Sequence, residues 1–216
     1  MAEAGVESPW KRTEVRRAER ELKREAVLRM AVRLFNQKGF HATSLDEVAE
    51  RLHVTKPTLY YYVKNKDEIL FESVRIGLEA VRAGIAQATA SGGSALERLR
   101  MCMNAYLRVV TDDFGRCVIR VGEDPLPPAS RRKLRKLKAE IDHEFRQLIE
   151  EGVAEGSLAR VDPKLAAFMI AGAISWIGRW YREDGELTPE QIADQSIGLL
   201  LNGVLNRPAA TKRSAR

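Results

Sequence analysis

Between Thr55 and Lys66 the chain reads TKPTLYYYVKNK, which sets three consecutive tyrosines (Tyr60, Tyr61, Tyr62) and three lysines (Lys56, Lys64, Lys66) around Leu59 and Val63. If Leu59 and Val63 face inward on a short helix, Lys56, Thr58, Tyr60, Tyr61 and Tyr62 cover the rest of its circumference. Phenol hydroxyls donate and accept, and an ammonium donates to any acceptor. Such a surface suits a DNA major groove, where phosphate contacts position a protein and a few side chains read base edges. A single tyrosine at helical spacing serves equally well as half-buried core. Three in succession cannot all point inward on one turned helix.

These side chains need elements to hold them. Thr43 or Ser44 caps a first short helix, with Asp46 or Glu47 three residues on completing a capping box, and Leu45, Val48, Ala49 and Leu52 forming its buried stripe. A turn follows at His53–Val54. Thr55 caps a second helix that has Pro57 in its first turn, where proline loses no helical hydrogen bond. Before both, Val27, Met30, Ala31, Leu34 and Phe35 mark one face of a helix over 16–38, and Gly39 stands where such a helix ends. Two short helices joined by a tight turn and packed on a longer one make a helix-turn-helix.

The stretch PTLYYYVKNK, with the approach LFNQKGFHATSLDEVAERLHV before it, resembles the DNA-binding module of TetR-family transcriptional regulators over about residues 20–72. The resemblance implies that the helix from Thr55 to Tyr62 is the recognition helix. Lys56, Thr58 and Tyr61 would then read base edges, while Thr43, Ser44, Tyr60, Tyr62 and Lys66 would hold phosphates. Asp46 departs from family members that carry a basic base-reading side chain there. It either accepts from a cytosine amine or compensates the helix N-terminus.

Charge agrees with an anionic partner. Residues 1–66 hold 14 basic and 9 acidic side chains, so most of the formal net charge of +6 lies in the N-terminal third. The run KRTEVRRAERELKR, residues 11–24, is either a solvated helix face or a basic arm, with Arg12, Arg16 and Arg17 as candidates for flanking phosphates or the minor groove. Two cysteines are too few for a disulfide framework and three histidines offer no metal-ligand spacing, so a reducing cytoplasm and no metal or cofactor are expected. No run approaches 18 uninterrupted apolar residues, so no membrane span is expected. Residues 1–15 and the tail from Pro208 are expected to be mobile ends.

Beyond residue 66, helical patterns run over 66–90, 94–110, 129–153, 163–182 and 189–205, and no segment shows strand alternation. The expected fold is therefore all-α: a three-helix helix-turn-helix domain over 16–66 and a larger helical domain over 67–206. Met101, Cys102, Met103, Tyr106, Phe114, Cys117, Met169, Trp176 and Trp180 form a bulky, polarizable pool that either fills a bundle or lines a cavity for an apolar molecule. RRKLRKLK, residues 131–138, puts six cations in the first turns of a helix. This is either a solvated face or an anion site in which Arg131, Arg132, Lys133 or Arg135 meets the phosphates of a coenzyme A thioester.

The helix over 163–182 is thinned by Ala166, Ala167, Ala171, Gly172, Ala173 and Gly178, and the last helix offers Ile192, Ile197, Leu200, Leu201 and Val204. Both are too apolar around their circumference for a monomer surface, which points either to a two-fold homodimer interface or to a face interior to the subunit. The resulting expectation is a dimeric, ligand-responsive DNA-binding regulator on a pseudo-palindromic operator, released by an apolar or acyl-CoA-like effector. Repression is the direction the resemblance implies. Two alternatives stand beside it: a ligand-independent architectural DNA binder, and a helical enzyme. Against the enzyme, His143–Glu144 lacks the second histidine of a zinc protease, and neither a Gly-rich phosphate loop nor G-x-S-x-G occurs.

Overall fold

The structure is a computed structural model that describes the backbone of residues 9–202 and the side chains of 14–202. The expected mobile segments 1–8 and 208–216, and Val204 of the expected interface, lie outside the described residues. Among those described there are nine helices and no strand: α1 Pro9–Lys38, α2 Leu45–Arg51, α3 Lys56–Tyr62, α4 Lys66–Ala90, α5 Ala95–Thr111, α6 Asp113–Arg120, α7 Pro128–Ala154, α8 Pro163–Trp180 and α9 Pro189–Asn202. None of them is long and apolar enough to cross a membrane.

Two expectations on helices are corrected. Residues 9–15 belong to α1, which starts at Pro9 rather than Arg16, so the basic run lies on a continuous helix and not on an extended arm. Prolines favour a first helical position, and glutamates four residues before arginines, such as Glu25 and Arg29 at 2.8 Å, support such a surface helix. The second correction is α6, which the periodicity did not reveal. It has eight residues with Gly115 inside, and tertiary contacts rather than propensity hold it in helical form.

The helix-turn-helix closes as its caps dictate. The Ser44 hydroxyl accepts from the Glu47 amide at 3.1 Å, and the Thr55 hydroxyl from the Thr58 amide at 3.3 Å. His53 takes a positive φ of 54° in the turn between α2 and α3, a conformation that histidine tolerates better than bulky or β-branched residues do. Val27, Leu28, Ala31, Val32, Leu34 and Phe35 of α1 meet Val48 and Ala49 of α2, Leu59 of α3 and Val63 in one core. That core does not stop at residue 66. It continues through Ile69, Leu70, Val74 and Leu78 of α4 to Phe114 and Cys117 of α6 and Leu134 of α7.

A second core joins the rest of α4 to α5, α7, α8 and α9 through Val81, Ile85, Leu99, Met103, Leu107, Phe145, Ile149, Ile174, Ile192 and Ile197. Gly115 is what lets α6 lie against the end of α5, since a Cβ there would sit 1.8 Å from the Val109 carbonyl oxygen. α6 therefore touches both cores.

Candidate nucleic-acid surface and ligand cavity

On α3, Leu59 is fully buried and the outward surface carries Lys56, Thr58, Tyr60 and Tyr61, with Tyr61 64% exposed. The phenol of Tyr61 stands under the Arg20 guanidinium of α1, 5.1 Å from the ring centre, and edge-on to Tyr62 at 5.1 Å. Tyr62 is half-buried and packs on the first core. One tyrosine of the three is thus partly structural, and two are free to meet a ligand. The capping hydroxyl of Ser44 is also exposed, at the start of α2.

Two side chains, Thr43 and Lys66, depart from their expected roles, and a third, Asp46, is engaged by a neighbour. Thr43 is 2% exposed and its hydroxyl donates to the Gly39 carbonyl at 2.9 Å, so it closes the α1–α2 turn instead of presenting a hydroxyl to phosphate. Lys66 turns inward: its ammonium donates to the carbonyls of Phe40 at 2.7 Å and Thr43 at 2.8 Å and lies 4.5 Å from the centre of the Phe40 ring. Asp46 lies exposed in the first turn of α2, as compensation of that helix N-terminus requires. It pairs with Lys56 at 2.7 Å, and that hydrogen bond raises the pKa of the Lys56 ammonium. Both partners are exposed, so the pair is weak and Lys56 is free to exchange it for a phosphate or base edge.

In the larger part, α4, α5, α6, α7 and α8 line a half-open cavity of about 550 Å³. Its wall is mainly apolar, including Val81, Ile85, Val109, Ile119, Ile141, Phe145 and Phe168. Such a space matches a small-molecule site in size and lining. Tyr106, Trp176 and Cys102 of the expected pool do line it. Most of the others go elsewhere, because size and apolarity do not fix direction. Met103 is fully buried beside the cavity wall in the second core, and Phe114 and Cys117 belong to the first core. Burial pushes the Cys117 thiol up to about 12, which leaves it inert. Met101, Met169 and Trp180 are exposed.

Sequence reasoning missed the wall contributed by α4, α6 and α7. Gly77 was a usable sign: a Cβ there would lie 2.8 Å from a Val118 methyl, so glycine permits α4 and α6 to approach.

Five polar side chains interrupt the apolar wall: Tyr106, Lys138, Asp142, Ser175 and Arg179. Of the basic run, Lys138 and Arg135 donate to the buried Glu123 carboxylate at 2.5 and 2.8 Å. Burial alone would raise the pKa of Glu123, but these two cations outweigh it and hold the carboxyl below its usual range. Lys136 pairs with Glu140 at 4.0 Å. Arg131, Arg132 and Lys133 make no ion pair among the described residues, and Arg132 and Lys133 are exposed.

A polar junction ties the two regions together through α6. Asp113 accepts from Arg33 at 2.7 Å, and its carbonyl accepts from the Asn36 amide at 2.9 Å. Arg120, at the other end of α6, donates to the Asn36 carbonyl of α1 at 3.2 Å and to the Gly178 and Arg179 carbonyls of α8 at 3.1 and 2.8 Å. Because Gly115, Val118 and Ile119 line the cavity, one short helix touches both that space and the helix that carries the helix-turn-helix.

The outer surface of α8 shows Leu165, Met169, Gly172, Ala173, Trp176 and Trp180 at helical spacing, with Trp176 65% exposed, and α9 adds Leu199. This stripe differs from the expected interface. Ile192 and Ile197 point into the second core, with Ile197 only 2% exposed, and Ala167 and Gly178 are also buried within the subunit.

Residues 27–73 match the family described as bacterial regulatory proteins, tetR family, and residues 92–204 match the tetracyclin repressor-like C-terminal domain. The transcriptional repressor KstR2 of Rhodococcus jostii is 24% identical to 84% of the chain, over 91% of its own length. The TetR-family regulator PfmR from Thermus thermophilus superposes with a TM-score of 0.75 at 30% identity, over 83% of this chain and 99% of that one. AibR, solved in complex with isovaleryl coenzyme A and operator DNA, gives 0.72 at 28% identity, over 82% and 97%. With its helix-turn-helix and its hollow helical unit both matched, the chain belongs to the TetR family of DNA-binding transcriptional regulators, which are not enzymes.

Proposed function

We propose that the protein is a homodimeric repressor whose grip on a pseudo-palindromic operator is released by an acyl-CoA. The cavity carries this reading: an apolar space of about 550 Å³ with Lys138 and Arg179 in its wall and Arg131–Lys133 further along α7 fits a molecule with an apolar body and a polyanionic end. The AibR complex supports it, because a relative of the same fold holds isovaleryl coenzyme A. Residues 16–66 serve as the reader of DNA and 67–206 as sensor and dimer scaffold, acting in the cytoplasm.

The α3 face and the start of α2 supply the DNA contacts, with Lys56, Thr58 and Tyr61 at bases and Ser44 and Tyr60 at phosphates. The α8 stripe supplies the partner contact. Two recognition helices then address half-sites about 34–36 Å apart. Ligand binding favours the arrangement in which those helices no longer match the groove, since an effector acts only through a difference in affinity for two states.

The test begins with duplexes selected by the protein itself from random sequence, which should converge on an inverted repeat. Decanoyl-CoA should then weaken binding to that duplex by about 5–150-fold, the usual range of coupling between two sites. Undiminished operator affinity at saturating decanoyl-CoA contradicts the reading. Tyr61→Ala should lower operator affinity by about 1–3 kcal/mol with the fold intact. Met169→Glu combined with Leu165→Glu should give monomers by light scattering.

A further inference from the structure

The Tyr106 and Ser175 hydroxyls meet at 2.7 Å in the cavity wall, between α5 and α8. Two hydroxyls carry two protons, and their mutual bond uses one. Neither makes a second hydrogen bond to any described residue, so the second proton is left for whatever fills the cavity. Burial raises the pKa of the Tyr106 phenol, although its bond to Ser175 opposes this, so the phenol stays a neutral donor at ordinary pH. A donor left unpaired against an apolar space is unfavourable unless an acceptor arrives with the occupant.

The position of the pair along the cavity says which atom that is. α7 and α8 cross the cavity antiparallel: at one end Arg146 stacks on Phe168 at 5.0 Å, and at the other Lys138 meets Glu123 while Arg120 holds the Arg179 carbonyl. Lys138 and Arg179 thus share the α6 end. Ser175 lies one turn from Arg179, about 6 Å along the axis, and Arg131 lies two turns before Lys138, about 10 Å further along α7. An extended pantetheine arm bridges a gap of that order, so phosphates beside Arg131–Lys133 bring a thioester to the hydroxyl pair. Its acyl chain then continues toward Phe145 and Phe168.

We propose that the Tyr106–Ser175 pair donates a hydrogen bond to the thioester carbonyl oxygen and makes the cavity selective for acyl-CoA over an alkyl-CoA of equal length. This rests on the acyl-CoA reading of the cavity. It names the group that reads the carbonyl.

The test compares decanoyl-CoA with S-decyl-CoA, which differs only in lacking the carbonyl oxygen, by calorimetric titration of the full chain. The wild type should prefer decanoyl-CoA by about 3–10-fold, the worth of one neutral hydrogen bond. In the Tyr106→Phe, Ser175→Ala double variant the ratio should fall to about one, with S-decyl-CoA held as tightly as by the wild type. Equal binding of the two ligands by the wild type overturns the role of the pair and leaves the acyl-CoA reading standing. So does a preference that survives in the double variant. Binding of neither ligand overturns both. Should the double variant fail to fold, the wild-type ratio alone decides.

Discussion

Leu59 in the helix-turn-helix and Val81 in the larger unit are both buried, yet their surroundings differ. Leu59 is closed in by α1 and its own motif, whereas Val81 faces a space of about 550 Å³ that no side chain fills. Protein interiors rarely leave more than a water-sized void, because unfilled space forfeits contact energy. The filled core holds a recognition helix at a fixed angle and gains from having one geometry. The hollow core forgoes part of its packing and, on the proposed function, gains a place where an occupant alters the balance between two arrangements. α6 lies between them, lining the space with Gly115, Val118 and Ile119 and gripping α1 through Asp113 and Arg120.

The contrast is broken most sharply by truncation. Leu59→Ala should lower unfolding free energy by about 2–5 kcal/mol in urea melts, since the first core has no slack to take up the loss. A loss under about 1 kcal/mol would mean that this core is not filled. Lys66→Ala should remove about 1–3 kcal/mol by orphaning the Phe40 and Thr43 carbonyls. Unchanged stability with a flatter salt dependence of DNA binding would instead return Lys66 to the phosphates.

In the hollow core the sign should reverse. Ala171→Leu places a larger side chain in the cavity wall, so the melting temperature should hold or rise while stabilisation by decanoyl-CoA disappears. A clear fall in melting temperature would show that the space is not available. The smallest effect belongs to the exposed Asp46–Lys56 pair. Asp46→Asn should change stability by less than about 1 kcal/mol while altering operator affinity through the freed Lys56.

What could be read from sequence follows the same division. Ser44, Thr55, Pro57 and the alternation of Leu59 and Val63 with tyrosines are local signals, and local signals specify the helix-turn-helix. The inward turn of Lys66 was not legible, because its acceptors lie 23 and 26 residues earlier in the chain. α6 escaped because its helix depends on Gly115 fitting beneath the Val109 carbonyl, a contact between helices. The cavity was foreseen only as a pool of bulky side chains. Met169 and Met103 are the same residue type, yet one lies outside on α8 and the other is fully buried. An unfilled space is a property of several faces at once and has no residue of its own.

If the filled and hollow regions are coupled as proposed, the coupling between their two binding sites is reciprocal. The most direct measurement is the affinity of the protein for decanoyl-CoA, determined with and without saturating operator duplex. Operator should weaken decanoyl-CoA binding by the same factor, about 5–150-fold, by which decanoyl-CoA weakens operator binding. Equal ligand affinity in the presence and absence of operator would contradict it.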